Sequence, residues 1–149
     1  MPNEYEAIVR REIVTTRIFA APRAAVFEAW TDPNQLKQWW GPRGFSNTFH
    51  VCEMQAGGLW TYTMHAPKGT DYKNEATFVE IATPERIVIE HTSPPKFRLT
   101  ALFDELGSDT KLTFRQLFET STVFDQVKKF AAQANEDNLD RLAKLLGDG

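Results

Sequence analysis

Between Ser46 and Phe118 the chain is a succession of short strands, and this stretch constrains the fold more than any other. Segments rich in β-branched and aromatic residues alternate with turns containing Gly or Pro about every ten residues, which is typical of an antiparallel meander. The six predicted strands are Asn47–Met54, Leu59–His65, Tyr72–Ile81, Arg86–Thr92, Phe97–Asp104 and Lys111–Phe118. A further strand, Ile13–Ala20, precedes them.

Helical patterns lie on both sides of the meander. Apolar spacing predicts an amphipathic helix over Pro22–Trp30, and Asp32 with Pro33 is typical of the cap and first turn of a second, short helix. Ser121–Leu146 contains neither Gly nor Pro, and its apolar spacing predicts one long helix. The order of elements predicts an α+β helix-grip fold: a seven-stranded antiparallel sheet wrapped around a long C-terminal helix, with two short helices after the first strand.

Length and composition restrict the classes of function. The 149 residues, with a core at about 11–146, predict one domain, and 17 basic against 20 acidic residues give a net charge of −3. This balance argues against nucleic-acid binding, which needs a basic face. Cys52 has no partner for a disulfide, no apolar run is long enough for a spanning helix, and the first residues lack the apolar core of a signal peptide. We therefore expect a cytoplasmic protein without a membrane span.

Strand alternation predicts which side chains face the helix. Three of the four tryptophans lie in the segment Trp30–Phe45, where they are predicted to pack as a lid or plug at one end of the interior. The candidate ligand-binding residues are Trp39, Trp40, Trp60, Tyr62, Met64, Phe78, His91, Phe103, Phe114, Gln116 and Phe130. An apolar wall with a few polar groups is typical of a small-molecule pocket. A plain packed core has the same pattern, so the residues alone leave both interpretations open.

Metal and nucleophile chemistry find little support. His50 and Cys52 are predicted to share one side of a strand, but two ligands do not make a zinc site, and no CxxC or HExxH motif supplies others. We predict no metal and no cofactor. Cys52 is interpreted as an inert packed thiol, and no G-x-S-x-G motif is present.

Acid–base chemistry is the remaining enzymatic hypothesis. Its weak candidates are His91, which alternation turns inward, together with Glu80 or Gln116. The alternative is that His91 makes only structural hydrogen bonds.

Several local motifs occur in one order over almost the whole chain, from about residue 11 to 146. As a set they resemble the START-like (SRPBCC, or Bet v-like) superfamily, and within it the branch of the activator of the 90-kDa heat-shock protein ATPase homologue. The motifs are Ala21-Pro22, Val26-Phe27, Ala29-Trp30-Thr31-Asp32-Pro33, Leu36, Trp39-Trp40-Gly41-Pro42, Gly57-Gly58-Leu59-Trp60, Pro84-Glu85-Arg86-Ile87, Thr110-Lys111-Leu112-Thr113 and Asn138-Leu139-Asp140-Arg141-Leu142. One departure is that the Gly-Trp pair common near the start of the final helix is replaced here by FAAQAN, residues 130–135.

The resemblance implies a cavity between the sheet and the long helix that binds a small hydrophobic or aromatic ligand. It also implies two alternatives: an enzyme like the polyketide cyclases and hydratases, and a stress-related co-chaperone that stimulates a heat-shock ATPase. A chaperone partner is disfavoured because solvent exposure explains the charges on the final helix. A homodimer is compatible with each function.

Overall fold

The computed structural model describes residues 11–147. The segment for which the sequence predicts no signal peptide therefore lies mostly outside the described residues, as do residues 148–149. The strands are β1 Glu12–Phe19, β2 Ser46–Cys52, β3 Gly58–His65, β4 Asp71–Ala82, β5 Arg86–His91, β6 Phe97–Leu106 and β7 Asp109–Phe118. The helices are α1 Arg23–Thr31, α2 Pro33–Trp39 and α3 Ser121–Leu145.

All seven strands form one antiparallel sheet in the order β1-β7-β6-β5-β4-β3-β2. Consecutive strands from β2 to β7 are neighbours, as hairpin connections require, and β1 pairs with the last strand. This arrangement confirms the predicted helix-grip fold. Among the described residues, no helix is both long and apolar enough to cross a membrane.

The start of α2 follows the predicted capping chemistry, and α3 begins with a cap that was not predicted. The Asp32 carboxylate accepts the backbone N–H of Asn34 at 3.0 Å, and Pro33 occupies the first turn of α2. At the start of α3, the Thr120 hydroxyl accepts the N–H of Val123 at 3.1 Å. Each cap satisfies a backbone donor that has no partner within its own helix.

Two β-bulges change which side chains face inward on the strands beside β3. The register shifts between Phe49 and Val51 in β2, so Cys52 pairs with Trp60 and packs against the core, whereas His50 is exposed. The predicted common side for His50 and Cys52 is therefore wrong, because one extra residue in a strand reverses its alternation.

The second bulge lies between Phe78 and Glu80 in β4. It places Glu80 opposite Val88, and the Glu80 carboxylate forms an ion pair with Arg86. Arg86 lowers the pKa of this carboxyl through their hydrogen bond. The inward position considered for Glu80 is therefore wrong.

The last helix is held against β1, β7 and α2. Arg17 on β1 reaches two carboxylates of α3, Glu136 and Asp140, both at 2.9 Å. On the face turned to the sheet, the helix buries Ala131, Asn135, Asn138, Leu139 and Leu142.

The loop after α2 is clamped to α3. The guanidinium of Arg141 donates to the carbonyls of Gln38, Trp40, Gly41 and Pro42 at 2.8–3.1 Å. Gly41 adopts a φ of +99°, and a Cβ there would lie 2.5 Å from the methyl carbon of Met64. The Met64 methyl ends a flexible side chain and could move aside, so it is the positive φ that favours glycine here.

Candidate functional site

Three polar residues of the inner face, Tyr62, His91 and Gln116, lie towards one end of the sheet. Tyr62 lies opposite Asn74, His91 lies opposite Phe97, and Gln116 lies opposite Leu99. We call this half of the interior the His91 end. The other half is closed by α1, whose Phe27 packs edge-on against Phe103 with ring centroids 5.1 Å apart.

A buried amide pair joins the sheet to α3 at the His91 end. The Asn135 side-chain nitrogen donates to the Gln116 carbonyl oxygen at 2.9 Å, and the two residues are only 5% and 8% exposed. The amide nitrogen of Gln116 and the carbonyl oxygen of Asn135 have no further partner among the described residues. Each amide therefore keeps hydrogen-bonding capacity between sheet and helix.

Tyr62 provides a second polar group on this wall. Its hydroxyl oxygen accepts the indole N–H of Trp40 at 3.2 Å, and the side chain is 2% exposed. Burial raises the pKa of Tyr62 well above its ordinary value, so the hydroxyl remains protonated. Because its oxygen is the acceptor in the bond with Trp40, its proton remains available to another group.

The tryptophans form the centre of the interior and differ in hydrogen bonding. Trp39 donates to the Ala29 carbonyl at 2.9 Å, and Trp40 donates to Tyr62. The indole N–H groups of Trp30 and Trp60 are fully buried without an acceptor among residues 11–147. An unpaired buried donor costs about 1–3 kcal/mol, so two of them in one core need an explanation.

His91 is held on both sides of its ring. The ring stacks on Phe97 with centroids 4.5 Å apart; Nδ1 donates to the Pro95 carbonyl at 2.9 Å, and Nε2 lies 2.8 Å from the Asn74 amide oxygen. Burial lowers the pKa of His91, although its carbonyl contact favours the charged ring. Each ring nitrogen has a protein oxygen within 3 Å, so neither is open to a bound molecule.

We expect the lowered pKa of His91 to make the fold less stable in mild acid. Below about pH 6.5 an unfolded histidine takes up a proton, whereas the buried ring stays neutral until its lower folded pKa is reached. The free energy of unfolding should therefore decrease as the pH is lowered below about 6.5, by at most about 1.4 kcal/mol per pH unit. Urea unfolding between pH 5.5 and 7.5 measures this slope.

The matched variants for this prediction are His91→Gln and His50→Gln. His91→Gln should flatten the slope over this range, because the protonating ring is removed. His50→Gln removes an exposed histidine and should leave the slope as it is in the wild type. An unchanged slope in His91→Gln would contradict the prediction.

An open pocket of about 570 Å³ lies at the His91 end. His91, Phe97 and Phe118 contribute to it from the inner face, Glu90, Arg98 and Leu117 from the outer face, and Arg11, Lys96 and Glu119 from its edge. A second pocket of about 450 Å³ lies beside α1, lined by Phe27, Met54 and Ile81 among others. The first pocket adjoins the polar half of the interior, and the second adjoins the half closed by packed rings.

The structure brings most of the predicted wall residues together. Those buried in the interior are Trp39, Trp40, Trp60, Tyr62, Phe78, His91, Phe103, Phe114 and Gln116. Met64 is partly buried and packs against them.

The position predicted for Phe130 is wrong, because its side chain is 68% exposed. Phe130 is one residue away from Ala131, which is about 100° around the helix. Asn135 and Asn138 are buried on the same face as Ala131. The sequence analysis did not select them, because a polar residue carries no signal in a hydrophobic pattern.

Metal-ligating groups do not converge in the part of the chain that the structure describes. No three His, Cys, Asp or Glu side chains lie close enough to hold a metal ion there. Burial raises the pKa of the Cys52 thiol to about 11, which keeps it in its unreactive protonated form.

Known structures share this architecture. A solution structure of a protein from Arthrobacter aurescens matches with a TM-score of 0.88 and 21% identity, over 99% of this chain and 91% of that one. A crystal structure from Nitrosomonas europaea has a TM-score of 0.84 and 19% identity, over 99% and 98% of the two chains. A solution structure from Staphylococcus epidermidis has a TM-score of 0.79 and 26% identity, over 92% and 90%.

A search among curated proteins found no significant match. A family profile described as "Activator of Hsp90 ATPase homolog 1-like protein" matches residues 20–147, which include every helix and all strands except β1. Together with the helix-grip architecture, this match confirms the resemblance found in the sequence motifs. The chain belongs to the Activator of Hsp90 ATPase homolog 1-like family, within the START-like (SRPBCC) superfamily.

Proposed function

We propose that the protein binds a small apolar or aromatic molecule between the sheet and α3, at the His91 end. The observation that carries the proposal is the buried Gln116–Asn135 pair, whose remaining amide N–H groups and carbonyl oxygen have no partner among residues 11–147 and lie in a largely apolar interior. A few polar groups in an apolar enclosure are typical of small-molecule sites. The superfamily, whose fold commonly binds hydrophobic ligands, supports the same conclusion.

The position of α3 is consistent with such a site. Its main contacts with the sheet are to β1 and β7 at one side, rather than to the central strands β4–β6. The inner face of those central strands nevertheless carries buried side chains, including His91 and Leu99. Side chains can adjust to a ligand more readily than a helix backbone in direct contact with a sheet.

Binding is favoured over acid–base catalysis by the state of the candidate catalytic groups. His91 has both ring nitrogens engaged, and Glu80 is paired with Arg86 outside the interior. Gln116 carries no proton that titrates in the ordinary pH range. A general acid or base must reach the reacting atom with a free site for the proton, and none of these three groups meets that condition in this structure.

The proposal predicts that narrowing the interior beside the amide pair prevents binding. Ala131 is 8% exposed and lies one turn before Asn135 on the same face of α3. N-phenyl-1-naphthylamine, a neutral probe that fluoresces in apolar surroundings, should bind the wild type with a Kd on the order of 10 µM. Ala131→Phe should weaken this binding about tenfold or more in a fluorescence titration.

The matched control is Ala132→Phe, which adds the same ring at the exposed neighbouring position. It should bind the probe as the wild type does. Circular dichroism of both variants separates loss of binding from loss of fold, since the larger ring at position 131 costs about 1–3 kcal/mol if the core must rearrange. Absence of saturable binding to the wild type, or equal weakening by the two variants, would contradict the proposed site.

A further inference from the structure

The two unpaired indoles give the interior an excess of hydrogen-bond donors. Trp60 and Trp30 are 0% and 1% exposed, and neither indole N–H has an acceptor. Trp39 and Trp40 are similarly buried, yet each has one. Two of the four indoles are therefore satisfied, and two keep an open donor.

The unpaired indoles belong to one cluster. The ring of Trp40 lies between them, with its centroid 5.9 Å from that of Trp30 and 5.2 Å from that of Trp60. Trp60 also stacks on Tyr62 at 4.3 Å. The ring of Trp60 thus adjoins Tyr62, whose hydroxyl proton is available for a further hydrogen bond.

Donors outnumber acceptors in this interior. Trp30, Trp60, Tyr62 and the amide nitrogen of Gln116 can each donate, whereas the free acceptors are the Asn135 oxygen and the buried amide oxygen of Asn47. A molecule that satisfies them must bring oxygens that accept hydrogen bonds. A hydrocarbon would leave every one of these groups unpaired.

The interior also lacks charge. No Asp, Glu, Lys or Arg side chain is buried among residues 11–147. A carboxylate or phosphate carried into this space would lose its hydration without meeting a cation, which is strongly unfavourable. A neutral molecule avoids that cost.

We infer that the ligand is a neutral apolar molecule bearing a carbonyl-type oxygen, and that the indole N–H of Trp60 donates to it. This inference rests on the proposed binding function and specifies its chemistry. The aromatic walls accept the apolar body, and the open donors select molecules with an acceptor oxygen over hydrocarbons of the same shape.

Three matched probes test the inference with the full chain: benzophenone, which is neutral with a carbonyl; diphenylmethane, which lacks the oxygen; and diphenylacetate, which is anionic. In isothermal titration calorimetry, the Kd for benzophenone should be at least about tenfold lower than the Kd for either of the other two probes. In ¹H–¹⁵N spectra, benzophenone should move the indole resonance of Trp60 more than those of Trp39 and Trp40, whose N–H groups already have acceptors.

A variant locates the contact. Trp60→Phe keeps an aromatic ring but removes the N–H, and it should lower affinity for benzophenone about five- to tenfold more than affinity for diphenylmethane. If this variant fails to fold, the indole spectra of the wild type still decide. Equal affinity for benzophenone and diphenylmethane, or tightest binding of diphenylacetate, would overturn the inference while leaving a binding site in place. No binding of any probe, including N-phenyl-1-naphthylamine, would overturn the proposed function as well.

Discussion

Arg141→Met should lower the free energy of unfolding by about 2–4 kcal/mol, a large part of the stability of a domain of this size. The guanidinium supplies hydrogen bonds to four backbone carbonyls, those of Gln38, Trp40, Gly41 and Pro42. Methionine keeps much of the apolar volume but leaves these carbonyls to find water. Because the carbonyls belong to the end of α2 and the following loop, the loss also weakens the attachment of α2 to α3.

The effect of Arg141→Met should exceed that of removing a charge alone. Arg141→Lys retains the charge but cannot reproduce the planar fork, so it should recover no more than about half of the loss. Lys144→Met, three residues later at an exposed position, should change stability by less than about 0.5 kcal/mol. Urea unfolding followed by circular dichroism measures all three. If Arg141→Met lowers the free energy of unfolding no more than Lys144→Met does, the hydrogen bonds from Arg141 to the loop after α2 contribute nothing to stability.

The sequence was most informative where local rules and burial agree. Turn residues separate every pair of consecutive strands from β2 to β7. The number and order of the strands could therefore be predicted, and the strand ends to within two residues. The caps at Asp32 and Thr120 coincide with the start of amphipathic patterns. In these places one interpretation satisfies propensity, periodicity and capping together.

Strand alternation failed to predict which side chains face inward beyond the bulges in β2 and β4. One added residue turns the side chains that follow it to the opposite face of the sheet. His50 and Glu80 were misplaced for this reason. Neither bulge contains a glycine, so the sequence carried no mark of the change.

The polar parts of the site were also hidden from pattern analysis. Asn135, Asn138 and Arg141 act through long-range contacts with Gln116, Gly41 and the loop after α2. Hydrophobic periodicity treats such residues as surface. It instead selected Phe130, which the turn of the helix leaves in solvent. Geometry, rather than residue type, decides which polar residues of α3 are buried.

Trp39→Ala should be the most destabilising of these substitutions, with an expected loss of about 3–5 kcal/mol. The sequence alone left Trp39 as either a movable gate or fixed packing. Its side chain is 0% exposed, lies edge-on to Trp30 with centroids 4.9 Å apart, and donates to the Ala29 carbonyl. Removing the indole empties the junction of α1 and α2 and leaves a buried carbonyl unpaired.

Two comparisons separate packing from gating. Trp39→Phe keeps most of the volume and loses the hydrogen bond, so it should cost about 1–3 kcal/mol. Phe130→Ala removes an exposed ring from a helix and should cost less than about 0.5 kcal/mol beyond its small change in helix propensity. If Trp39 is a fixed part of the core, thermal and urea unfolding should show the largest loss of stability for Trp39→Ala, a smaller loss for Trp39→Phe and the smallest for Phe130→Ala. If Trp39 is instead a gate that opens to admit ligand, Trp39→Ala should lose little stability and should bind the probe faster. That result would place Trp39 at the entrance of the site rather than in the core.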